Sequence, residues 1–208
     1  MIFISFFTPN GAYPALARKL QASLDHFALR SDVRLRSPFV NWAEGCRYKS
    51  RFILEMLFQY REPVVWMDID TELWKYPQLL FGEHDFAIYN WTADRGHHLD
   101  GRIPFDPESK VLLCSGGVQK WGYTAAAIEL LVRWIAKFDV TPWKNGDDPL
   151  LDAAYNDFRP PVNALWLPKT YNRMDKHTSH WSEIRSAEVV INHDYVGGRH
   201  RQAPPAED

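Results

Sequence analysis

Asp68 and Asp70 are the residues whose type and spacing first point to chemistry. They sit one residue apart at the end of the apolar run Pro63-Val64-Val65-Trp66-Met67, with Thr71 and Glu72 following. Two carboxylates on one short segment offer hard oxygen ligands suited to Mg²⁺ or Mn²⁺, ions that complete their shells with water and substrate phosphates. In open α/β sheets, ligands bind beyond the carboxyl ends of the strands, so the place of these acids matters as much as their type. The pattern predicts a site where a divalent cation meets a diphosphate.

Three further groups carry candidate chemistry. Asp147 and Asp148 precede Pro149 and Leu150 at a predicted helix start, where acids serve equally as caps for the macrodipole. His193 closes the apolar run Glu188-Val189-Val190-Ile191-Asn192, and Gly197, Gly198, Arg199, His200 and Arg201 come after it. An imidazole at a strand end could supply a third metal ligand, and the arginines could supply cations for phosphate; the plainer reading is a surface histidine and a solvated basic tail. His97 and His98 are also potential ligands, but adjacent side chains point apart in an extended chain, which disfavours a shared ion.

The elements that must position these residues follow from periodicity. Ile2 to Phe7 predicts a first strand, then a Pro-Asn-Gly loop and a helix with Leu16, Leu20, Leu24 and Phe27 at helical spacing. The loop carrying Thr8 and Tyr13 lies at that strand's carboxyl end, where a nucleotide could rest. Leu35 to Val40 reads as a second strand. Glu44 to Tyr60 reads as a helix with Phe52, Ile53, Met56, Leu57 and Tyr60 buried, and with Arg47, Lys49 and Arg51 mostly off that stripe.

Beyond the acidic strand, Leu73 to Pro77 predicts a turn and a short helical piece, and Asp85 to Tyr89 a strand. Thr92 to Ser109 predicts a long polar loop of the kind that forms lids or binding loops. Val111 to Val118 is an apolar run interrupted at Ser115-Gly116-Gly117, where glycines permit a bulge or close approach to a ligand. A helix follows with Ala127, Ile128, Leu131, Val132 and Ile135 in register, then a short one from Leu150 to Tyr155. Trp166 to Asn172 and Glu188 to His193 read as the last strands. Strands alternating with helices predict one α/β domain with a largely parallel sheet.

Composition sets the limits. The chain has 208 residues, enough for one domain with a substantial core, and its net charge of -2 gives no general basic field for nucleic acid. Two cysteines, Cys46 and Cys114, support neither a disulfide framework nor a thiolate cluster, so a reducing, cytoplasmic setting is expected. The apolar opening Met1 to Phe7 is cut short by Thr8-Pro9-Asn10-Gly11, so neither a signal peptide nor a transmembrane segment is expected there. Nine tryptophans are many, and core packing is their commonest use, though such rings also face sugars and bases.

The order of these blocks resembles a known family. An apolar first strand, a helix with Arg47-Tyr48-Lys49, then Trp66-Met67-Asp68-Ile69-Asp70, Cys114-Ser115-Gly116-Gly117, Asp147-Asp148-Pro149-Leu150-Leu151-Asp152, Leu167-Pro168-Lys169-Thr170-Tyr171-Asn172 and a final His193 are similar to the GT-A-fold nucleotide-sugar glycosyltransferases with an Asp-x-Asp motif. The nearest likeness is to the glycogenin and lipopolysaccharide galactosyltransferase-like family.

The resemblance implies a single Rossmann-like GT-A domain over residues 1–201, with a mostly parallel mixed sheet flanked by helices and a flexible tail at 202–208. It implies Mn²⁺ (or Mg²⁺) held by Asp68, Asp70 and His193, and a nucleotide-sugar donor, UDP-linked in the first instance. Thr8 and Tyr13 would meet the base, and Lys49, Asp68, Cys114, Ser115 and Gly116 the donor. Arg199 or Arg201 would supply phosphate charge, and Asp147 and Asp148 would serve as the catalytic pair. The expected reaction is sugar transfer, with retention, to a hydroxyl of a saccharide, lipid-linked glycan or protein. Cys114 stands where the family usually has Asn, and Asp148 where it has Gln.

Two other functions fit parts of the pattern. Asp68-Ile69-Asp70-Thr71 also suits a phosphohydrolase with Asp68 as nucleophile and Asp70 as acid, although Glu72 holds the place where that signature wants threonine. A non-catalytic nucleotide-sugar-binding module would keep the fold without turnover.

Overall fold

The computed structural model describes residues 1–93, 106, 109–140, 146–158, 161–174 and 186–194. Most of the expected lid segment (94–105 and 107–108), including His97 and His98, lies outside the described residues, as do Arg199, Arg201 and the tail.

The chain alternates as expected. Strand β1 (Ile2–Phe7) leads to helix α1 (Tyr13–His26), opened by Pro14 in its first turn, where the missing N–H costs nothing. Strand β2 (Ser31–Leu35) then pairs parallel with β1. The predicted span of Leu35 to Val40 is thus displaced. The ladder runs out at Leu35, and Arg36 to Asn41 form a connection ending in the cap of helix α2 (Trp42–Tyr60). There the Asn41 side chain accepts from the Glu44 N–H at 3.0 Å, and the Glu44 carboxylate accepts from Val40 N at 2.7 Å, so two otherwise unpaired amides are satisfied.

Strand β3 (Val64–Met67) follows, then β4 (Thr71–Leu73) and a single 3₁₀ turn at Gln78–Phe81 in place of the expected turn and helical piece. Strands β5 (Phe86–Asn90) and β6 (Cys114–Trp121) come next, with helices α3 (Ala125–Val140) and α4 (Asp148–Phe158). Strands β7 (Ala164–Leu167), β8 (Arg173–Met174) and β9 (Ile191–His193) complete the described strands.

Six strands form the main sheet in the order β2-β1-β3-β6-β5-β7, with β4-β9-β8 as a second, small sheet. The main sheet is mixed. β6 runs antiparallel to both neighbours while the other pairs are parallel. Ser115-Gly116-Gly117 does not interrupt β6. Its cost appears as a register shift against β5 between Ile88 and Tyr89.

Alternation along β3 divides the core. Val64 and Trp66 face Phe52, Ile53, Met56 and Leu57 of α2 with Leu130, Leu131 and Trp134 of α3, while Val65 and Met67 face Leu20 and Leu24 of α1. On α3 the buried stripe is Ala127, Leu130, Leu131, Trp134 and Phe138, whereas the expected Val132 is 49% exposed. Trp121 and Trp134 stack with ring centres 6.0 Å apart, so these two of the nine tryptophans serve the core.

Candidate active site

The site grows out of the end of β3. Asp68 N still donates to Gly117 O at 2.8 Å, extending the ladder by one residue, and the chain then turns. Thr71 N and Thr71 Oγ1 both bond Asp68 O, at 3.0 and 2.6 Å, which closes a four-residue turn over Asp68-Ile69-Asp70-Thr71. The Asp-x-Asp segment is therefore a tight turn between the two sheets. β4 leaves it to pair antiparallel with β9, in a register that sets Thr71 opposite His193. Asp194 N also donates to Asp70 O at 2.8 Å.

That register brings the imidazole to the acids. His193 Nε2 lies 3.0 Å from Asp70 Oδ1 and 3.9 Å from Asp68 Oδ2. Asp68, Asp70 and His193 each offer a ligand atom, all within 4.8 Å of one another. A β-carbon on Gly117 would stand 2.6 Å from the His193 Cε1 and Nδ1 atoms, so the second glycine of Ser-Gly-Gly is what leaves room for the ring. Burial pulls the His193 pKa down, but the Asp70 charge and hydrogen bond, with Asp68 behind them, leave it raised.

Across from the triad stands Lys49. Its side chain is buried, and its ammonium donates to Gly116 O at 2.8 Å and forms ion pairs with Asp147 Oδ2 at 2.9 Å and Asp68 Oδ1 at 3.1 Å. Burial works against this charge, yet Asp147, Asp68 and Asp148 together hold its pKa well above the usual lysine value.

Helix α4 supplies the last wall. Asp148 Oδ1 accepts from Gly116 N at 3.0 Å, and Asp152 Oδ1 accepts from Cys114 N at 2.8 Å. The spacings agree. Four residues of helix and two of strand both advance about 6 to 7 Å, so acids at i and i+4 meet alternate strand amides. Burial, helped by the Asp147 charge and opposed by Lys49, pushes the Asp148 carboxyl up to about 8. Burial pushes Asp152 up to about 7 against the hydrogen bonds from Cys114.

These walls enclose a cavity of about 640 Å³ at the carboxyl ends of β1 and β3. Of the sequence-predicted residues, Thr8, Tyr13, Lys49, Asp68, Asp70, Ser115, Asp147, Asp148 and His193 all line it. Gly116 and Cys114 stand behind the wall: Gly116 gives both backbone groups to Lys49 and Asp148, and the Cys114 thiol lies 3.7 Å from Asp148 O. Sequence reading missed the aromatic side, where Phe6, Phe39, Trp42 and Trp66 also line the cavity. It also missed Asp152 as the acceptor for Cys114 N. Asp152 falls one helical turn after Asp148, and that i, i+4 spacing of two acids at a predicted helix start was the available signal.

The donor set fits a divalent cation. Two carboxylates suit Mg²⁺ or Mn²⁺, and an imidazole nitrogen favours a transition ion over Mg²⁺. Among the described residues the cavity is lined by four aspartates, one lysine and one histidine, and with Asp148 set aside as protonated the acids still outnumber the one lysine, an excess that a dication would relieve.

No protein-family model matches the chain, and no curated protein matches it. Among solved structures it is similar to a glycosyltransferase involved in the glycosylation of the major capsid of PBCV-1, at 13% identity and a TM-score of 0.63, over 93% of this chain and 92% of that one. At that identity the likeness speaks to fold alone: this chain shares the α/β architecture of a glycosyltransferase, a six-stranded sheet flanked by helices in one GT-A-like domain.

Proposed function

We propose that this chain is a metal-dependent glycosyltransferase that moves a sugar from a nucleotide-diphosphate sugar, UDP-linked in the first instance, to a hydroxyl acceptor with retention. The observation that carries the reading is the convergence of Asp68, Asp70 and His193 on one point of a cavity at the carboxyl ends of parallel strands. In this reading Asp68, Asp70 and His193 hold Mn²⁺ (or Mg²⁺), and the bound ion offsets the negative charge that builds on a departing diphosphate.

The chain's own residues divide the remaining work. Thr8 and Tyr13 line the first-strand end of the cavity and meet the base. Ser115, beside the Cys114 and Gly116 backbone, faces the transferred sugar. Asp147 and Asp148 line the same cavity, with Asp147 joined to Asp68 through the Lys49 ammonium, and are assigned to the reacting sugar and the acceptor hydroxyl. Asp147 is fixed by Lys49, while the proton that burial holds on Asp148 lets that carboxyl donate to a sugar oxygen. Arg199 and Arg201 are assigned to phosphate by family likeness, as are the domain limits 1–201. Cys46 and Cys114 are both free thiols, which supports a reducing cytoplasmic setting. Among the described residues no helix is long and apolar enough to cross a membrane.

Isothermal titration of UDP in the presence and absence of Mn²⁺ tests the reading directly. Binding is expected with Mn²⁺ and is expected to be lost in Asp70→Ala; unchanged binding by that variant would sink the proposal. Hydrolysis of a generic aryl phosphate that disappears in Asp68→Asn would instead favour a phosphohydrolase. Metal-dependent donor binding with neither transfer nor slow donor hydrolysis would identify a binding module.

A further inference from the structure

Asp68 differs from its partners in the triad. The Asp70 and His193 side chains are 11% and 5% exposed and are packed in place, whereas that of Asp68 is 30% exposed. A carboxylate with that much solvent contact has free rotamers unless something holds it. The structure supplies two holders, both on one oxygen. The Trp66 indole Nε1–H donates to Asp68 Oδ1 at 2.7 Å, and the Lys49 ammonium reaches the same oxygen at 3.1 Å. Asp68 Oδ2 is the oxygen that faces His193, at 3.9 Å.

The contact follows from strand geometry. Residues i and i+2 of a strand share a face, and Asp68 continues the ladder of β3 through its N–H to Gly117 O, so Trp66 and Asp68 point the same way. Trp66 is itself fixed. It is 3% exposed, its ring is 5.1 Å from the Phe6 ring and 6.1 Å from the Phe52 ring, and Lys49 Nζ sits 5.2 Å over its face. An indole also has only one N–H, does not titrate and carries no charge, so it orients a carboxylate without neutralising it. Lys49 alone would orient Asp68 weakly, because its ammonium is shared with Asp147 and Gly116 O.

We propose that Trp66 is a positioning residue for the cation site: with Lys49 it occupies Oδ1 of Asp68, so that Asp68 meets a cation through Oδ2. This rests on the reading of Asp68, Asp70 and His193 as a divalent-cation site. It adds a requirement which that reading lacks, namely that an aromatic N–H outside the ligand set controls the affinity.

The test is Mn²⁺ titration without nucleotide, followed by the electron paramagnetic resonance of free Mn²⁺, comparing wild type with Trp66→Phe. The phenylalanine keeps an aromatic ring in the core and loses the N–H. Affinity is expected to fall about tenfold to a hundredfold in the variant at matched thermal melting. Equal affinity overturns the Trp66 assignment and leaves the cation site standing. Absence of Mn²⁺ binding by the wild type overturns both.

Should Trp66→Phe fail to fold, the wild-type indole N–H resonances decide the matter. One of them is expected downfield, displaced in Asp68→Ala, and still downfield after Mg²⁺ is added, because Oδ1 remains bonded. The assignment falls if no indole resonance responds to Asp68→Ala, or if that resonance moves to a solvent-like position with Mg²⁺.

Discussion

The two ends of the main sheet each bury a lysine, and the molecule treats them differently. At the carboxyl end of β3, Lys49 is 5% exposed and meets Asp68, Asp147 and the Gly116 carbonyl. At the opposite end Lys120, on β6 beside Val65, is 3% exposed, and its ammonium donates to the backbone carbonyls of Gly82 and of His84, the latter at 2.9 Å. Burial lowers the Lys120 pKa against weak help from Asp85 and Glu83, whereas the carboxylates around Lys49 overcome its burial and raise it. One lysine ties the 82–84 connection to the sheet. The other holds a cluster of acids that would repel each other without it. Similar burial thus marks a tether at one end and the centre of an acid cluster at the other, and the partners make the difference.

The sharpest way to break this comparison is Lys49→Met. Removing the cation leaves buried Asp147 and partly exposed Asp68 without their shared counter-charge, so a loss of about 3 kcal/mol in denaturant-measured stability is expected, together with loss of metal-dependent nucleotide binding. Stability within error of wild type would show that the acids do not depend on Lys49. Gly117→Ala should come next. Its β-carbon would fall 2.6 Å from the imidazole, so the ring must move; Mn²⁺ affinity should drop about tenfold, as read by titration.

Lys120→Met is expected to cost only about 1 kcal/mol, the value of its carbonyl hydrogen bonds, and to leave Mn²⁺ binding as it was. A larger effect on binding would link the two ends of the sheet. The last expected effect is one of pH. Asp148 and Asp152 hold protons in the native state that the unfolded chain releases near about pH 4. Their raised pKa values, about 8 and about 7, therefore stabilise the fold fully below that pH, and the benefit is lost as pH rises through those values. Asp148→Asn can still accept from Gly116 N and has no proton to lose. Its melting temperature should gain on wild type between about pH 5 and about pH 9; a constant gap across that range would contradict the buried, protonated carboxyl.

Much of the site was legible because it follows local rules. Asp68 and Asp70 after a β-branched run, and His193 at the end of another, needed only strand periodicity and the place of ligands in α/β sheets. Lys49 was harder to place. It lies one turn before Phe52 and Ile53 on the buried stripe of α2, but a charge at that position breaks the apolar pattern and reads as solvated. Trp66 was hidden for the opposite reason, since an indole in an apolar strand looks like filling. β4 escaped detection because a three-residue strand exists only through its pairing with β9, far along the chain. On α3, Val132 and Ile135 competed with Trp134 and Phe138 for the same period, and only packing against Trp121 decided the phase.

The pairing of β4 with β9 has a consequence for how the site tolerates change in length. Three residue pairs with β4 and two with β8 hold β9, and side chains alternate across it, so sliding β9 by one residue would turn the His193 ring to the opposite face and bring Asn192 or Asp194 to the acids. Single-residue insertions or deletions between the 3₁₀ turn at Ser186–Glu188 and His193 are therefore frame shifts in space as well as in sequence. They would preserve every candidate ligand in composition and remove one from the cluster.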